Sequence, residues 1–438
     1  MRKMLTVTVS VFIIFGLLIN FSCKVGNDGE EPPDDNTYTL TVWLGTGVEG
    51  TPAAGDYSYR EGESVSYEYS LTVGYSDLTV TLDGQEVSAA GTINMDRNHS
   101  LNASSGSSAD YFVSMNGNDN NDGSSENSPF RTIARAFEVV QPGETICVLA
   151  GTYYESLTPE NIGSSSAPIT LKGEGNSTAL DGKNSTIQGG NHSTVLDGQR
   201  EKALGIWCEN CKNLVFENLE IRNYTDIGIG AYLSSDITLR NLKVHNNGFA
   251  VQLKDWELEG YGIDVDECSN VFIAENEVYQ NGPNPQTLDI LMGTGINTFG
   301  CTNCTIRSNR CYENIGGGML VEDGVNVLVE DNEVFDNDLD ASVDEWWDGG
   351  LWVDGGHDIV IRNNTFYGNL GPGIEISDED FQEPYGYILE NNTSYENYYG
   401  IFIWNFGTDD WPPENIIKRS GNQFYNNSRK DIWIVAWY

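Results

Sequence analysis

At 438 residues the chain has room for one large domain and one small one, and 39% hydrophobic residues with 48 glycines suit a turn-rich β protein rather than a disordered chain. Acidic residues number 65 against 23 basic, a net charge of −42. That argues against nucleic acid and anionic lipid surfaces as partners, because phosphate binding needs clustered Lys and Arg, and leaves a solubilised secreted surface or cation binding.

Arg2 and Lys3 precede an apolar run from Val7 to Ile19, too short for a comfortable bilayer span and typical of an export signal. Ser22 and Cys23 follow, and the segment 1–23 resembles a bacterial lipoprotein signal, although Asn20 and Phe21 stand where that family has an aliphatic and a small residue. The resemblance implies a lipid on Cys23 and an outer-membrane or cell-surface lipoprotein. Ordinary cleavage would give a secreted protein instead. The expected membrane contact is therefore through lipid alone, and a monomer is expected. Residues 24–36, acidic with two prolines, read as a tether.

Short alternating runs, YTLTVWL, SVSYEYSL and LTVTLDG, predict a small antiparallel β domain over 37–105. The stretch from Thr39 to Ser70 is similar to the β-grasp or sandwich-like repeat modules that precede bacterial surface enzymes, which implies a spacer without chemistry of its own.

A second domain is expected over 110–438. It opens with a strand, the loop NGNDNNDG, a short amphipathic segment and a strand ending in AGTYYE. Phe130, Ile133, Ala134, Phe137 and Val140 are spaced as one apolar stripe, predicting a helix that covers an otherwise open sheet end. The loop lacks the closing glutamate of an EF-hand and reads as a turn. This order resembles the N-terminal cap of pectate-lyase-like proteins. The expected fold is thus all-β, a right-handed parallel β-helix (the pectin-lyase-like solenoid) behind a small antiparallel domain.

Self-similarity supports it. A unit of Gly, apolar, variable, apolar recurs at Gly205, Gly228, Gly262, Gly295, Gly318, Gly350, Gly373 and Gly400, and the steps 205–228, 295–318 and 350–373 are each 23 residues, one coil of three short strands. Three columns then read as inward: Cys208 to Ile403 three places past the Gly, Leu214 to Ile359 nine past, Ile221 to Phe366 sixteen past. Polar columns run between them, one through Asn213, Asp236, Asn270, Asn303, Asn326 and Asp358, another through Asn276, Asn309, Asn332 and Asn364. Such ladders satisfy backbone groups coil after coil. His357 falls in a turn and reads as a hydrogen-bonder.

The columns also bear on the cysteines. WCENC and CTNC have the spacing of zinc ligands, but Cys208, Cys304 and Cys311 fall in inward columns, where Cys acts as a small hydrophobe. Cys268 and Cys301 share a turn column on coils ~4.8 Å apart, an arrangement that allows a disulfide in an oxidising compartment without requiring one.

Chemistry is expected on the outward face of the first strand. Two places past the Gly stand Trp207, Gly230, Asp264, Asn297, Leu320, Trp352, Glu375 and Phe402; four past stand Glu209, Tyr232, Asp266, Phe299, Glu322, Asp354, Ser377 and Trp404. Insertions carrying Lys254, Trp256, Asp289, Trp346, Trp347 and Asp348 approach the same face. Aromatic platforms beside carboxylates suit a sugar chain, whose apolar faces stack while its hydroxyls find acceptors. Trp347, Trp352, Glu375 and Trp404 are the expected sugar contacts.

Three uses of this groove stand open. A Ca²⁺-assisted lyase or epimerase would remove the proton beside a uronate carboxylate, with Asp266, Glu322 and Asp354 holding the ion, Lys254 and Tyr261 moving protons, and no organic cofactor. The coil beginning YGIDVD is similar to the active-site coil of mannuronan epimerases, whose motif is Tyr-Gly-aromatic-Asp-Pro-His. Tyr261, Gly262 and Asp264 match; Ile263 and Val265 replace the aromatic and the Pro, and Asp266 replaces the His. The resemblance implies a catalytic set of Lys254, Tyr261, Asp264 and Asp266 on a uronate-containing polysaccharide. A glycoside hydrolase would instead pair Glu322 with Asp354 at a retaining separation, or Asp266 with Glu322 at an inverting one. A glycan-binding protein without activity would use the same face.

Overall fold

The computed structural model describes residues 37–435 except 45–47, 54, 72–75, 84, 107–108, 165–166, 175–192, 249–250, 255–256, 283–289, 340–347, 379–384 and 405–416. Cys23 and the signal lie outside the described residues, as do Trp256, Asp289, Trp346 and Trp347. The chain divides into two compact units. In the smaller, short strands between Thr37 and Gly106 form antiparallel pairs such as Thr37–Leu44 with Gly55–Arg60 and Ser64–Leu71 with Ala90–Asn94. Alternation drives them: Val65, Tyr67 and Tyr69 are buried while their neighbours face solvent.

The larger unit is a parallel β-helix with three sheets of nine, eleven and ten strands, called here front, middle and rear. Each coil contributes one strand to each, as in Tyr261–Asp266, Ser269–Ala274 and Glu277–Tyr279. The inward columns are those expected. Their members from Cys208 to Ile403, Leu214 to Ile359 and Ile221 to Phe366 are each 2% exposed or less, and they form one continuous core. Alternation buries one face of every strand, so a register slip of one residue would turn this whole set outward.

The cap is a helix over Ile133–Phe137. Thr132 caps it, accepting from the Arg135 amide, and the Glu155 carboxylate takes the N–H groups of Ile133 and Ala134. Phe130, Ile133 and Val140 are buried as expected, but Ala134 faces solvent and Ala136 takes its place on the stripe. In the preceding loop, Asp119 accepts from the Arg131 and Thr132 amides at 2.8 and 2.9 Å, so its charge is spent on the turn.

Two asparagine ladders stitch the coils. In one, Asn276, Asn309, Asn332, Asn364, Asn392 and Asn422 each give their side-chain oxygen to the backbone or amide N–H of the preceding rung. The second runs Asn247, Asn281, Asn314, Asn337, Asn369, Asn397 and Asn427 in the same way. The third polar column, Asn213 to Asp358, sits at φ between 56° and 59°, a left-handed conformation that Asn and Asp tolerate best among residues with a side chain. His357 bonds Asp358 at 2.9 Å and stacks on Tyr385.

The Cys268–Cys301 disulfide that the turn column allowed is not formed; both are free thiols. Each sulfur is already used. Cys268 Sγ accepts from the Ser234 amide at 3.3 Å and faces the Ala231 carbonyl, while Cys301 Sγ donates to the Val265 carbonyl at 3.2 Å. They continue a turn ladder that Ser234 shares. Alkylation of the unfolded, unreduced chain should therefore modify both cysteines; a peptide pair joined until reductant is added would contradict the ladder.

Candidate active site

Strand pairing in the front sheet fixes the outward columns residue by residue. Gly230, Asp264, Asn297, Leu320, Trp352, Glu375 and Phe402 are successive partners, as are Tyr232, Asp266, Phe299, Glu322, Asp354 and Ser377. The expected acids therefore share one face. They do not share one environment.

Toward the N-terminal coils lies a carboxyl pair. Asp264 and Asp266 stand two residues apart on one strand, on the same side, and are hydrogen-bonded to each other. Burial is the first cause that raises Asp264 far above the ordinary carboxylate range, and the charge of Asp266 adds to it. Asp266 is raised to about 6, chiefly by burial, with help from the charge of Glu267 and opposition from its bond to Asp264. Burial and their mutual charge therefore hold both carboxyls above the ordinary range and favour one proton held between the pair near neutral pH. The Asn297 amide fixes the pair from the next coil, donating through Nδ2 to Asp264 Oδ1 at 2.7 Å. Asp266 Oδ1 and Asn297 Oδ1 are shielded and have no hydrogen-bond partner among the described residues.

Aromatic rings flank the pair. A Cβ on Gly230 would meet the Trp207 ring at 2.8 Å, so the indole leans across this glycine toward the Asp264 strand. Tyr232 and Phe299 are the strand partners of Asp266 on either side, and Phe299 is 37% exposed. Phe299 in turn separates Asp266 from Glu322.

Toward the C-terminal coils the face closes. Trp352, Glu375 and Trp404, read from the sequence as sugar contacts, are 6%, 1% and 6% exposed. They bond to one another's neighbours: Trp352 Nε1 donates to Ser377 at 2.7 Å, Ser377 to Asp354 at 2.5 Å, and Trp404 Nε1 to Glu375. Phe402 and Trp433 stack beside them. This cluster is an internal polar–aromatic brace, which corrects the expectation of an open platform here.

The expected Ca²⁺ set also fails to converge. Asp266 lies two coils from Glu322 and three from Asp354, roughly 10 and 14 Å along the stack, whereas ligands of one ion lie within about 5 Å of each other. Among the described residues no three acids, histidines or cysteines gather closely enough to hold a metal. Tyr261 is the first residue of its strand and alternates in phase with inward Ile263 and Val265, opposite to the aspartates. Lys254 ends the strand Val251–Lys254 of a separate three-stranded sheet, and its side chain lies outside the described residues.

Sequence reading missed a seven-ring stack on the rear sheet: His245, Tyr279, Tyr312, Phe335, Tyr367, Tyr395 and Tyr425, at 4.7 to 5.3 Å and within 10° of parallel. Its first five members stand 17 places past their glycines, so the offset was there to be seen. Rings stacked face to face present edges outward. They stabilise the coil stack and offer no face to a sugar.

Fold and face together define a parallel β-helix protein whose front sheet carries a shielded carboxyl pair. The family model for the right handed beta helix region matches residues 113–338 and 259–438, and the chain belongs to that family. It is 28% identical over 342 residues to the uncharacterized protein YwoF of Bacillus subtilis (strain 168), across 74% of this chain and 70% of that one. Among solved structures it is similar to pectate lyase Pel9A, with 19% identity, a TM-score of 0.49 and coverage of 73% of this chain and 79% of that one. An alginate lyase from Paenibacillus sp. str. FPU-7 matches at 15% identity and a TM-score of 0.46, over 69% of this chain and 96% of that one. These structural likenesses are of fold alone.

Proposed function

We propose that the chain is a polysaccharide-processing enzyme, working outside the cytoplasm, in which Asp266 transfers a proton in partnership with Asp264. The observation that supports this reading is the shielded carboxyl pair, whose burial raises both groups. A carboxyl that titrates near 6 beside a protonated partner serves as acid or base close to neutral pH, where an ordinary aspartate is fully ionised. Trp207, Tyr232 and Phe299 supply the apolar surface that sugar rings stack on.

Two reactions use the pair differently. As a lyase or epimerase of a uronate polymer, Asp266 is the base that takes the proton next to the substrate carboxylate. As a hydrolase, Asp266 is the acid that protonates the glycosidic oxygen, and Glu322 activates water. The second reading has its own observation: Asp266 and Glu322 flank the exposed Phe299 with backbones two coils, roughly 10 Å, apart, close to the upper end of the 6.5–9.5 Å carboxyl separation of inverting enzymes. Neither route runs through an ion held by Asp266, Glu322 and Asp354 together, because those three do not meet.

The pH profile separates the two. A base must be ionised, so lyase or epimerase activity rises with pH through about 6; an acid must be protonated, so hydrolysis falls with pH through about 6. Polymers of both kinds should be followed by ultraviolet absorbance for unsaturated uronates, by reducing-end release and by uronate epimer ratio. A chain that alters no polysaccharide by any of the three readouts is not this enzyme.

A further inference from the structure

We infer that the sugar held against Asp266 and Asn297 is a non-anionic unit that donates hydrogen bonds, so the polymer processed here is a neutral or amino-sugar glycan. The inference rests on the proton-transfer reading of the same site and names its substrate class.

Asn297 is 6% exposed, and its orientation is set because its amide nitrogen is engaged by Asp264. Its oxygen is thereby turned away from Asp264. That oxygen is a shielded acceptor that meets no donor among the described residues, and Asp266 Oδ1 is equally unpartnered, accepting while ionised and donating to the glycosidic oxygen while protonated. Buried acceptors are costly to leave unmade, and a ligand that supplies donors is favoured over one that supplies more acceptors. Sugar hydroxyls donate, and an amino sugar's ammonium donates more strongly. A uronate carboxylate only accepts, and it would set negative charge against negative charge.

The rest of the face agrees. The two outward columns from Trp207 to Trp404 hold Glu209, Asp264, Asp266, Glu322, Asp354 and Glu375 and no Lys or Arg. A polyuronate would enter a field of its own sign with no cation in those columns to receive it. A non-anionic glycan meets no such barrier and finds three aromatic rings.

The hydrolytic route then balances without a further reactant. Asp266 gives its proton to the glycosidic oxygen, the bond from that oxygen to the anomeric carbon breaks, and water adds to the carbon while Glu322 takes the water's proton. One water is consumed and two shorter chains result.

Calorimetric binding to the full-length protein tests the class. The probes are oligosaccharides of xylan, mannan and β-glucan, chitosan oligomers, and oligomers of galacturonate and alginate. We expect a neutral or chitosan pool to bind at least roughly tenfold more tightly than either oligouronate, and Asn297→Ala to weaken that binding by roughly tenfold. Which of the two non-anionic pools binds tells hydroxyl from ammonium as the donor. Oligouronates that bind as tightly as the best non-anionic pool, or failure of every non-anionic pool to bind, overturn the inference. Turnover that survives Asp266→Asn instead overturns the proton-transfer reading and leaves the sugar class standing.

Discussion

Asn309→Ala should lower the stability of the β-helix by about 3–5 kcal/mol and its melting temperature by roughly 5–15 °C. Asn309 is buried in the middle of its ladder. Its oxygen accepts from the backbone N–H and amide of Asn276 at 3.0 and 2.9 Å, and its amide donates to the Ile273 carbonyl and to Asn332 at 2.9 and 3.1 Å. Truncation removes all of these and leaves the buried Asn276 N–H without its acceptor. Adjacent coils lose the same contact that fixes their register, so the loss spreads along a solenoid whose stability is a sum of neighbour terms. The matched control is Asn303→Ala on the exposed ladder. Asn303 sits at φ 56° and donates to Asn270 at 3.1 Å at the surface, so its replacement costs about 1 kcal/mol. Equal melting temperatures for the two variants would show that the inner ladder does not hold the coils.

Asp266→Asn should cut turnover by about 10²–10⁴-fold and yet raise stability at pH 7 by up to about 2 kcal/mol. Both effects come from one carboxylate. In the unfolded chain Asp266 titrates near 3.9, and in the folded chain at about 6, so the native state binds more protons between those values. Stability therefore falls as pH rises through that window, and the ionised, shielded carboxylate is a net cost at pH 7. Asparagine keeps the size and a hydrogen bond to Asp264 but cannot carry the proton. Melting curves at pH 4 and pH 7 check the sign: the variant gains over the native protein at pH 7 and little at pH 4. A variant destabilised at pH 7 would show that the charge of Asp266 is compensated.

Much of this was legible in the amino-acid sequence, because a solenoid repeats its constraints. Val265, Val321 and Ile376 could be placed inside, and Asp264, Asp266 and Glu322 on one outer face, from alternation and a fixed offset past each glycine. That Asp264 and Asp266 share a side follows from the same alternation; their coupling as a shielded pair was not read from it. Burial of the outer face did not follow. Trp352, Glu375 and Trp404 occupy outward positions by parity and are nevertheless enclosed, because an outward column can be capped by whatever crosses it. The three-acid ligand set of Asp266, Glu322 and Asp354 failed on distance along the stack: a column brings acids into line at ~4.8 Å per coil, and line is not convergence. The disulfide failed on direction, since stacked cysteines in a turn point along the ladder to carbonyls rather than at each other. The mannuronan-epimerase-like coil is the one that carries both aspartates, but Tyr261 stands out of phase with the pair it was expected to serve.

Carboxyl titration by NMR with ¹³Cγ-labelled aspartate reads the shared proton itself. The native protein should show an aspartate titrating near 6 that is missing from the Asp266→Asn variant, while Asp264 stays protonated across the same range. A spectrum in which both carboxyls ionise around pH 4, as exposed aspartates do, would mean that no proton is held between them.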